Sequence, residues 1–339
     1  MKAAINSRVI LKAHIPLETV IPLLTPFVLI VDPASSCNLR CRYCPTGDTK
    51  LIRATKRHSG TMSFKIFKKL IDDLMDFPDP VKTLRLYKEG EPLLNSNFAH
   101  MVSYAKNSHR VIRIDTTTNG LLLNPKLNLQ IIEAGLDRIN ISVNGINEDQ
   151  YLHFTKSRVN FDQFVGNVRH LFENRGDCEV YIKGIKECLS PDDQSKFFDI
   201  FGNISDLIFL ENLSPAWPDF TFNGVEMKFE TGNYGQEIHE REVCPNIFYT
   251  MVVNSDGSVS LCVGDWPHKL LVGSVINNSL KEIWLGSEIN AHRISHLDKK
   301  RKDNQFCAVC QVMSHGTLEN IDHAADHLLK VLKNQVIKD

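Results

Sequence analysis

The sequence predicts an α/β fold, a parallel sheet wound into a partial (β/α)6 barrel, followed by a smaller cysteine-rich module. Two observations carry this. Apolar strand-like runs alternate with longer helical patterns from residue 27 to residue 211, which is the signature of βα units. The nine cysteines are also segregated, with three inside an eight-residue stretch near the start and four in the last third.

The elements follow in order. Residues 1–26 read as an N-terminal extension. The apolar run Val20–Val31 resembles a signal sequence superficially, but Glu18 and Asp32 bracket it, and Pro22 and Pro26 interrupt it. It is also too short to cross a bilayer as a helix. It reads better as the lead-in to a buried strand. The strands expected in the barrel, residues 27–211, are Phe27–Val31, Thr83–Tyr87, Val111–Thr116, Arg138–Val143, Glu179–Ile185 and Asp206–Leu210. A helix follows the capping residue Ser63 with Phe64, Phe67, Leu70, Ile71 and Leu74 on one face, and another starts at Ser190 with Pro191 in its first turn. Residues 212–243, with Trp217, Pro218, Phe220, Phe222 and Gly224, show no period and read as a connector. In the module, residues 244–315, Tyr249–Val253 and Ser258–Cys262 flank Asn254-Ser-Asp-Gly257 as a hairpin. Leu280–Leu285 begins a short helix with Trp284 turned inward. A final amphipathic helix is expected over 317–336 of the C-terminal segment 316–339, its stripe formed by Leu318, Ile321, Ala325, Leu328, Leu329, Leu332 and Val336.

Composition narrows the function. The 339 residues are 42% hydrophobic and 23% charged, with 39 basic against 40 acidic side chains and a formal charge of −1. No basic excess recommends nucleic acid or an anionic membrane as partner. Clustered thiols in place of an evenly spread disulfide framework point to metal in a reducing, cytoplasmic setting.

The strongest motif is Cys37-Asn-Leu-Arg-Cys41-Arg-Tyr-Cys44, directly after the first expected strand. Three thiolates holding four irons leave one iron open to an outside ligand, as a catalytic centre requires; a zinc knuckle would want a fourth ligand nearby. The spacing, with Tyr43 before the last cysteine, resembles the radical S-adenosylmethionine (SAM) enzymes. In that family the open iron chelates SAM, and reductive cleavage yields a 5′-deoxyadenosyl radical that abstracts hydrogen from substrate. Further matches fall at successive strand ends. Lys88-Glu-Gly-Glu-Pro92 resembles the family's Gly-Gly-Glu-Pro loop, with Gly90, Glu91 and Pro92 matching and Glu89 replacing the first glycine. Thr117-Thr-Asn-Gly120 resembles a turn near the cofactor, and Ile141-Ser-Val-Asn-Gly145 a segment that often carries Asp at the position of Asn144. The resemblance implies SAM contacts from Tyr43, Gly90, Glu91, Pro92, Thr118, Asn119, Ser142 and Asn144.

The second group, Cys244-x17-Cys262-x44-Cys307-x2-Cys310, suffices for a closed site, and zinc would satisfy the same thiolates. The pattern, with Val272–Ile276 and Leu280–Trp284, resembles the Twitch module, a truncated form of SPASM. That resemblance implies one fully ligated auxiliary 4Fe–4S cluster beside the catalytic 4Fe–4S cluster of Cys37, Cys41 and Cys44. Cys178 and Cys188 lie at opposite ends of one expected strand, so Cys188 falls on the active side, as a small half-buried residue or a hydrogen-atom donor. His292, His315, His323 and His327 form no metal spacing.

The arrangement is similar to that of radical aminocyclitol dehydrogenases. The expectation is an oxidoreductase that oxidises a secondary alcohol of a small sugar-like or cyclitol molecule, with the auxiliary cluster as electron acceptor. An external one-electron donor such as flavodoxin or ferredoxin is then implied. The alternatives are epimerisation with Cys188 as donor, peptide modification, for which residues 1–26 leave no room for the usual peptide-binding domain, and a binding protein with structural metal sites.

Overall fold

The computed structural model describes residues 1–8, 15–221 and 230–336, the side chains of 335 and 336 excepted. Phe222 and Gly224 of the connector, and the Val336 side chain, lie outside the described residues.

One ten-stranded sheet organises the molecule. Its strands are β1 (Ala4–Ile5), β2 (Val28–Val31), β3 (Val81–Leu86), β4 (Val111–Thr118), β5 (Arg138–Val143), β6 (Glu179–Ile185), β7 (Leu207–Glu211), β8 (Thr250–Val253), β9 (Ser258–Ser260) and β10 (Leu271–Ser274). They lie in the order β1-β7-β6-β5-β4-β3-β2-β8-β9-β10. Strands β2–β7 are the six expected from the sequence, paired parallel in sequence order as an unclosed barrel. Two pairings lie outside those expectations. Ala4–Ile5 adds parallel to β7, and β8 adds parallel to the far side of β2. The hairpin of the cysteine module therefore continues the barrel sheet. Gly257, at φ +87°, allows its turn without side-chain strain.

Helices cover the convex face. Alternate strand residues Leu84, Leu86, Ile114, Ile139 and Ile141 are sealed against them at 0% exposure, each stabilising the fold by about 2 kcal/mol on burial. Helix Phe64–Asp72 buries Phe67, Leu70 and Ile71, and the Ser63 hydroxyl accepts the Ile66 amide at its start. Helix Pro191–Phe201 is capped in the same way by Ser190. Trp284 is fully buried in helix Leu280–Leu285 and donates from Nε1 to the Leu23 carbonyl at 2.8 Å, tying the module to the lead-in of β2.

The final helix is shorter than expected. It spans Ala325–Val336 after a 3₁₀ turn at Asp322–Ala324. Residues 317–321 serve instead as a strap: the Arg241 guanidinium donates to the Thr317 carbonyl at 2.6 Å, and the Asp322 carboxylate accepts the amides of Glu242 and Val243. Those bonds hold the chain where a helix would withdraw it. His323 and His327 are exposed on that helix region, apart from the cysteine groups. Among the described residues no helix is long and apolar enough to cross a membrane.

Candidate functional site

The cysteine loop leaves the C-terminal end of β2, a strand paired on both sides, so its origin is fixed by two ladders. The Arg40 and Arg42 amides donate to the carbonyls of Thr155 and Phe154, pinning the loop to the end of helix Glu148–Thr155. A side chain on Gly47 would sit 2.3 Å from the Cys41 carbonyl oxygen, so the loop closes tightly on itself.

The donor set fits an iron–sulfur cluster. Burial pushes the Cys37 thiol up to about 12 and raises those of Cys41 and Cys44, and Cys44 adds to the rise of the other two. Such a trio ionises readily when a metal supplies positive charge. Two donors already face Cys37 Sγ, the Leu39 amide at 3.4 Å and the Asn119 side-chain amide at 3.8 Å. Among the described residues no three His, Cys, Asp or Glu side chains close on a single-ion position.

The loops at the ends of β3, β4 and β5 converge on this segment. Glu91 is sealed, and its carboxylate accepts the Thr118 hydroxyl at 2.6 Å, the Asn119 amide at 2.8 Å and the Leu93 amide at 3.0 Å. Burial raises its pKa to about 7 against those bonds. Glu91 thus braces two loops together, and the Thr118 hydroxyl is spent on it. Asn119 donates onward to Asn38 at 2.7 Å, linking the brace to the cysteine loop. Pro92 is buried at the start of a 3₁₀ turn. At Gly90 a Cβ would lie 2.1 Å from the Ala34 carbonyl oxygen and 2.2 Å from that of Ser36. The glycine is required by the approach to the cysteine loop's own backbone. Tyr43 donates its hydroxyl to Asn144, while Ser142 is half-buried at the end of β5.

Glu89, which departs from the family pattern, belongs to a buried charge network. It pairs with Lys88, with Arg57 at 2.8 Å and with His268 at 2.9 Å. Lys88 donates also to Asn254 at 2.7 Å and to the Asp265 carbonyl at 3.2 Å. Arg57 reaches the Trp266 carbonyl at 2.7 Å and Thr46 at 2.9 Å. The network therefore runs from the cysteine loop through the β3 loop into the module. Motif reading missed Arg57 and His268, because each acts across more than 170 residues of chain.

In the module, Cys244, Cys262, Cys307 and Cys310 lie close enough that the charge of one raises the pKa of another, on top of burial. Arg301 counters this, lowering Cys244, Cys307 and Cys310, and donates to the Cys307 carbonyl. Trp266 donates to the Pro218 carbonyl at 2.8 Å, so the connector packs over the module. Cys178 and Cys188 sit at opposite ends of β6, as expected. Cys188 is buried, and its charge bears on Cys41 and Tyr43.

Comparison with known proteins agrees with this geometry. Residues 31–187 match the radical SAM superfamily, and residues 244–311 match SPASM, an iron–sulfur cluster-binding domain. Curated relatives include a GTP 3′,8-cyclase of Petrotoga mobilis, 31% identical over 147 residues, which are 43% of this chain and 42% of that protein. A probable GTP 3′,8-cyclase of Methanococcus maripaludis is 33% identical over 129 residues, 38% of this chain and 39% of that protein. The chain therefore spans about two fifths of these relatives' length. Among solved structures, BtrN in complex with AdoMet and 2-DOIA superposes with a TM-score of 0.55 at 19% identity, covering 87% of this chain and 97% of that one. Streptococcus suis SuiB bound to precursor peptide SuiA gives 0.62 at 14% identity, covering 91% and 75%. At these identities the likeness is one of fold. SAM and 4Fe–4S clusters are the cofactors that the two matched domains imply. The chain thus carries a radical SAM domain joined through one sheet to a SPASM-type iron–sulfur cluster-binding domain.

Proposed function

We propose that the protein oxidises a secondary alcohol of a small sugar-like or cyclitol molecule. When bound, SAM and the catalytic cluster supply a hydrogen-abstracting 5′-deoxyadenosyl radical, and the auxiliary cluster supplies a one-electron acceptor. Cys37, Cys41 and Cys44 would hold the first cluster and Cys244, Cys262, Cys307 and Cys310 the second. Tyr43, Gly90 and Asn144 would border SAM, with Glu91, Thr118 and Asn119 positioning the loops around it and Ser142 facing the same end of the barrel. Reductant would come from a flavodoxin- or ferredoxin-like donor in the cytoplasm.

The observation that carries this reading is the module's four-cysteine set. A cluster held by all four thiols would keep no iron open for substrate. Similarity to BtrN along 97% of its chain is consistent with it. The test is anaerobic reconstitution and turnover. Iron should approach about eight per chain, two clusters of four, and an oxidised product should form with one 5′-deoxyadenosine per turnover. Zinc in the module would refute the acceptor role.

A second reading, epimerisation, is favoured by one observation, the burial of Cys188 beside Cys41 and Tyr43. It expects solvent deuterium in the product, and turnover that Cys188→Ala stops after a single abstraction. Under the dehydrogenase reading, Cys188→Ala leaves the product unchanged.

A further inference from the structure

The concave face of the sheet encloses a second feature, a cavity of about 300 Å³ whose lining shares no residue with the cysteine loop. Alternate residues of three adjacent strands form one wall: Arg85 on β3, Arg113 and Asp115 on β4, Arg138 and Asn140 on β5. In a packed barrel these inward positions carry branched aliphatic side chains. Here arginines hold them, and Arg8 adds a fourth from the N-terminal segment.

The guanidinium groups are not used up by the protein. Arg138 is 7% exposed, and its Nε and one terminal nitrogen have no hydrogen-bond partner among the described residues. Arg85 Nε is likewise unbonded, with Asp115 at 3.7 Å, outside hydrogen-bond reach. The Asn140 carbonyl and one Asp115 oxygen are also left over. Four arginines face Asp115 and Glu319 in the lining; with Glu179, 2.5 Å from Arg113, and the Lys183–Glu211 pair near Arg8, the balance is five against four. A cavity whose lining carries surplus positive charge is matched by a compact anion with several acceptor oxygens. Phosphate fits that description; a neutral polyol would leave the surplus charge uncompensated.

The cavity also points at the candidate active site. Two residues further along the same strands, Arg85, Asp115 and Asn140 give way to Tyr87, Thr117 and Ser142, a rise of about 7 Å. The loops carrying Gly90, Asn119 and Asn144 follow directly. Arg8 spans the interval, donating to Tyr87 at 3.1 Å and to Tyr234 at 2.9 Å. The Thr117 hydroxyl in the intermediate layer is buried and unpartnered among the described residues. A small molecule anchored by phosphate among the arginines would displace the Arg8–Tyr87 contact to extend its other end past Thr117 toward the cysteine loop.

We propose that this cavity is an oxyanion site that holds the phosphate of a phosphorylated polyol or sugar-like substrate. For the fate of the substrate's far end this rests on the dehydrogenase reading; the oxyanion site itself does not.

The test uses anaerobic holoprotein and calorimetry with inorganic phosphate in chloride buffer of matched ionic strength. Saturable binding is expected, weakened roughly tenfold in Arg85→Gln and in Arg113→Gln, whose side chains are partly exposed and tolerant of change. Lys126→Gln, an exposed position elsewhere, should bind as the parent does. Glycerol 3-phosphate should displace inorganic phosphate and glycerol should not. Absent phosphate binding, or binding equal in both arginine variants, overturns the site. Phosphate that glycerol 3-phosphate cannot displace marks a free-ion site and overturns the substrate role. Iron content and product analysis judge the dehydrogenase reading separately, so either can fail alone.

Discussion

Glu89 and His268 lie 2.9 Å apart across the junction of the β3 loop and the cysteine module, with side chains 0% and 6% exposed. With Lys88 and Arg57 they form a sealed cluster of charge in which each group depends on the others for compensation.

Restoring the family's glycine at this position should therefore harm the protein. Glu89→Gly leaves Lys88 and Arg57 with Asp32 as the remaining nearby carboxyl group, a loss of about 3 kcal/mol. Thermal unfolding of the holoprotein measures it, and an unchanged Tm would show that the network is dispensable. Glu89→Gln, which keeps volume but not charge, should fall between the two.

Asp32 should make stability pH-dependent. It is fully buried, neither carboxylate oxygen has a hydrogen-bond partner among the described residues, and burial with neighbouring Glu89 pushes its pKa up to about 7. The folded chain thus holds this proton more tightly than the unfolded chain, where the group titrates near about 4. Its stabilising contribution is complete below about pH 4 and is lost as pH rises to about 7. Glu89, where burial is outweighed by Lys88, the His268 hydrogen bond and Arg57, is drawn down to about 2 and acts below that window. Denaturant titrations at pH 5 and pH 8 should show a decline that Asp32→Asn reduces. Identical pH slopes in the two proteins would place the proton elsewhere.

Gly90→Ala should act on the catalytic cluster. The added methyl would fall 2.1 Å from the Ala34 carbonyl and 2.2 Å from that of Ser36, one residue before Cys37. Displacing that backbone costs about 1–3 kcal/mol. Iron should drop from about eight toward about four per chain, with the module's cluster retained. Full iron together with normal SAM affinity would contradict the close approach.

Asn119→Ala should tune the same centre without removing it. The variant deletes the amide that faces Cys37 Sγ at 3.8 Å, and hydrogen bonds to cluster sulfur raise reduction potential. A redox titration followed by electron paramagnetic resonance should give a more negative midpoint. Asn119→Gln would test whether reach or chemistry matters.

Local signals in the sequence were read reliably, and long-range ones were not. The strand runs, the Asn254–Gly257 turn and the Ser63 and Ser190 caps all involve neighbours along the chain, and each stands where expected. The pairings of β1 with β7 and of β2 with β8 join segments about two hundred residues apart, for which no local pattern exists. The barrel interior carries no local signal for another reason. Arg85, Asp115 and Asn140 alternate with aliphatic residues, which along a strand reads as a solvent face, yet they line a cavity on the concave side of the sheet. Glu89 registered as a mismatch to a motif; its partners come from residues 57 and 268, beyond any local window.

The parallel ladder between β2 and β8 has a consequence for how such proteins can be taken apart. Val28–Val31 meets Thr250–Val253 rung for rung, so the strand that launches the catalytic cysteines is clasped by the module's own first strand. The cysteine loop after β2, and Cys244 and Cys262 beside β8 and β9, thereby hang from one lattice of backbone hydrogen bonds, as teeth cut from one bar. A chimera that transplants the module by cysteine spacing alone would leave the bared edge of β2 open to pairing with another chain. What must be conserved in such a graft is the register.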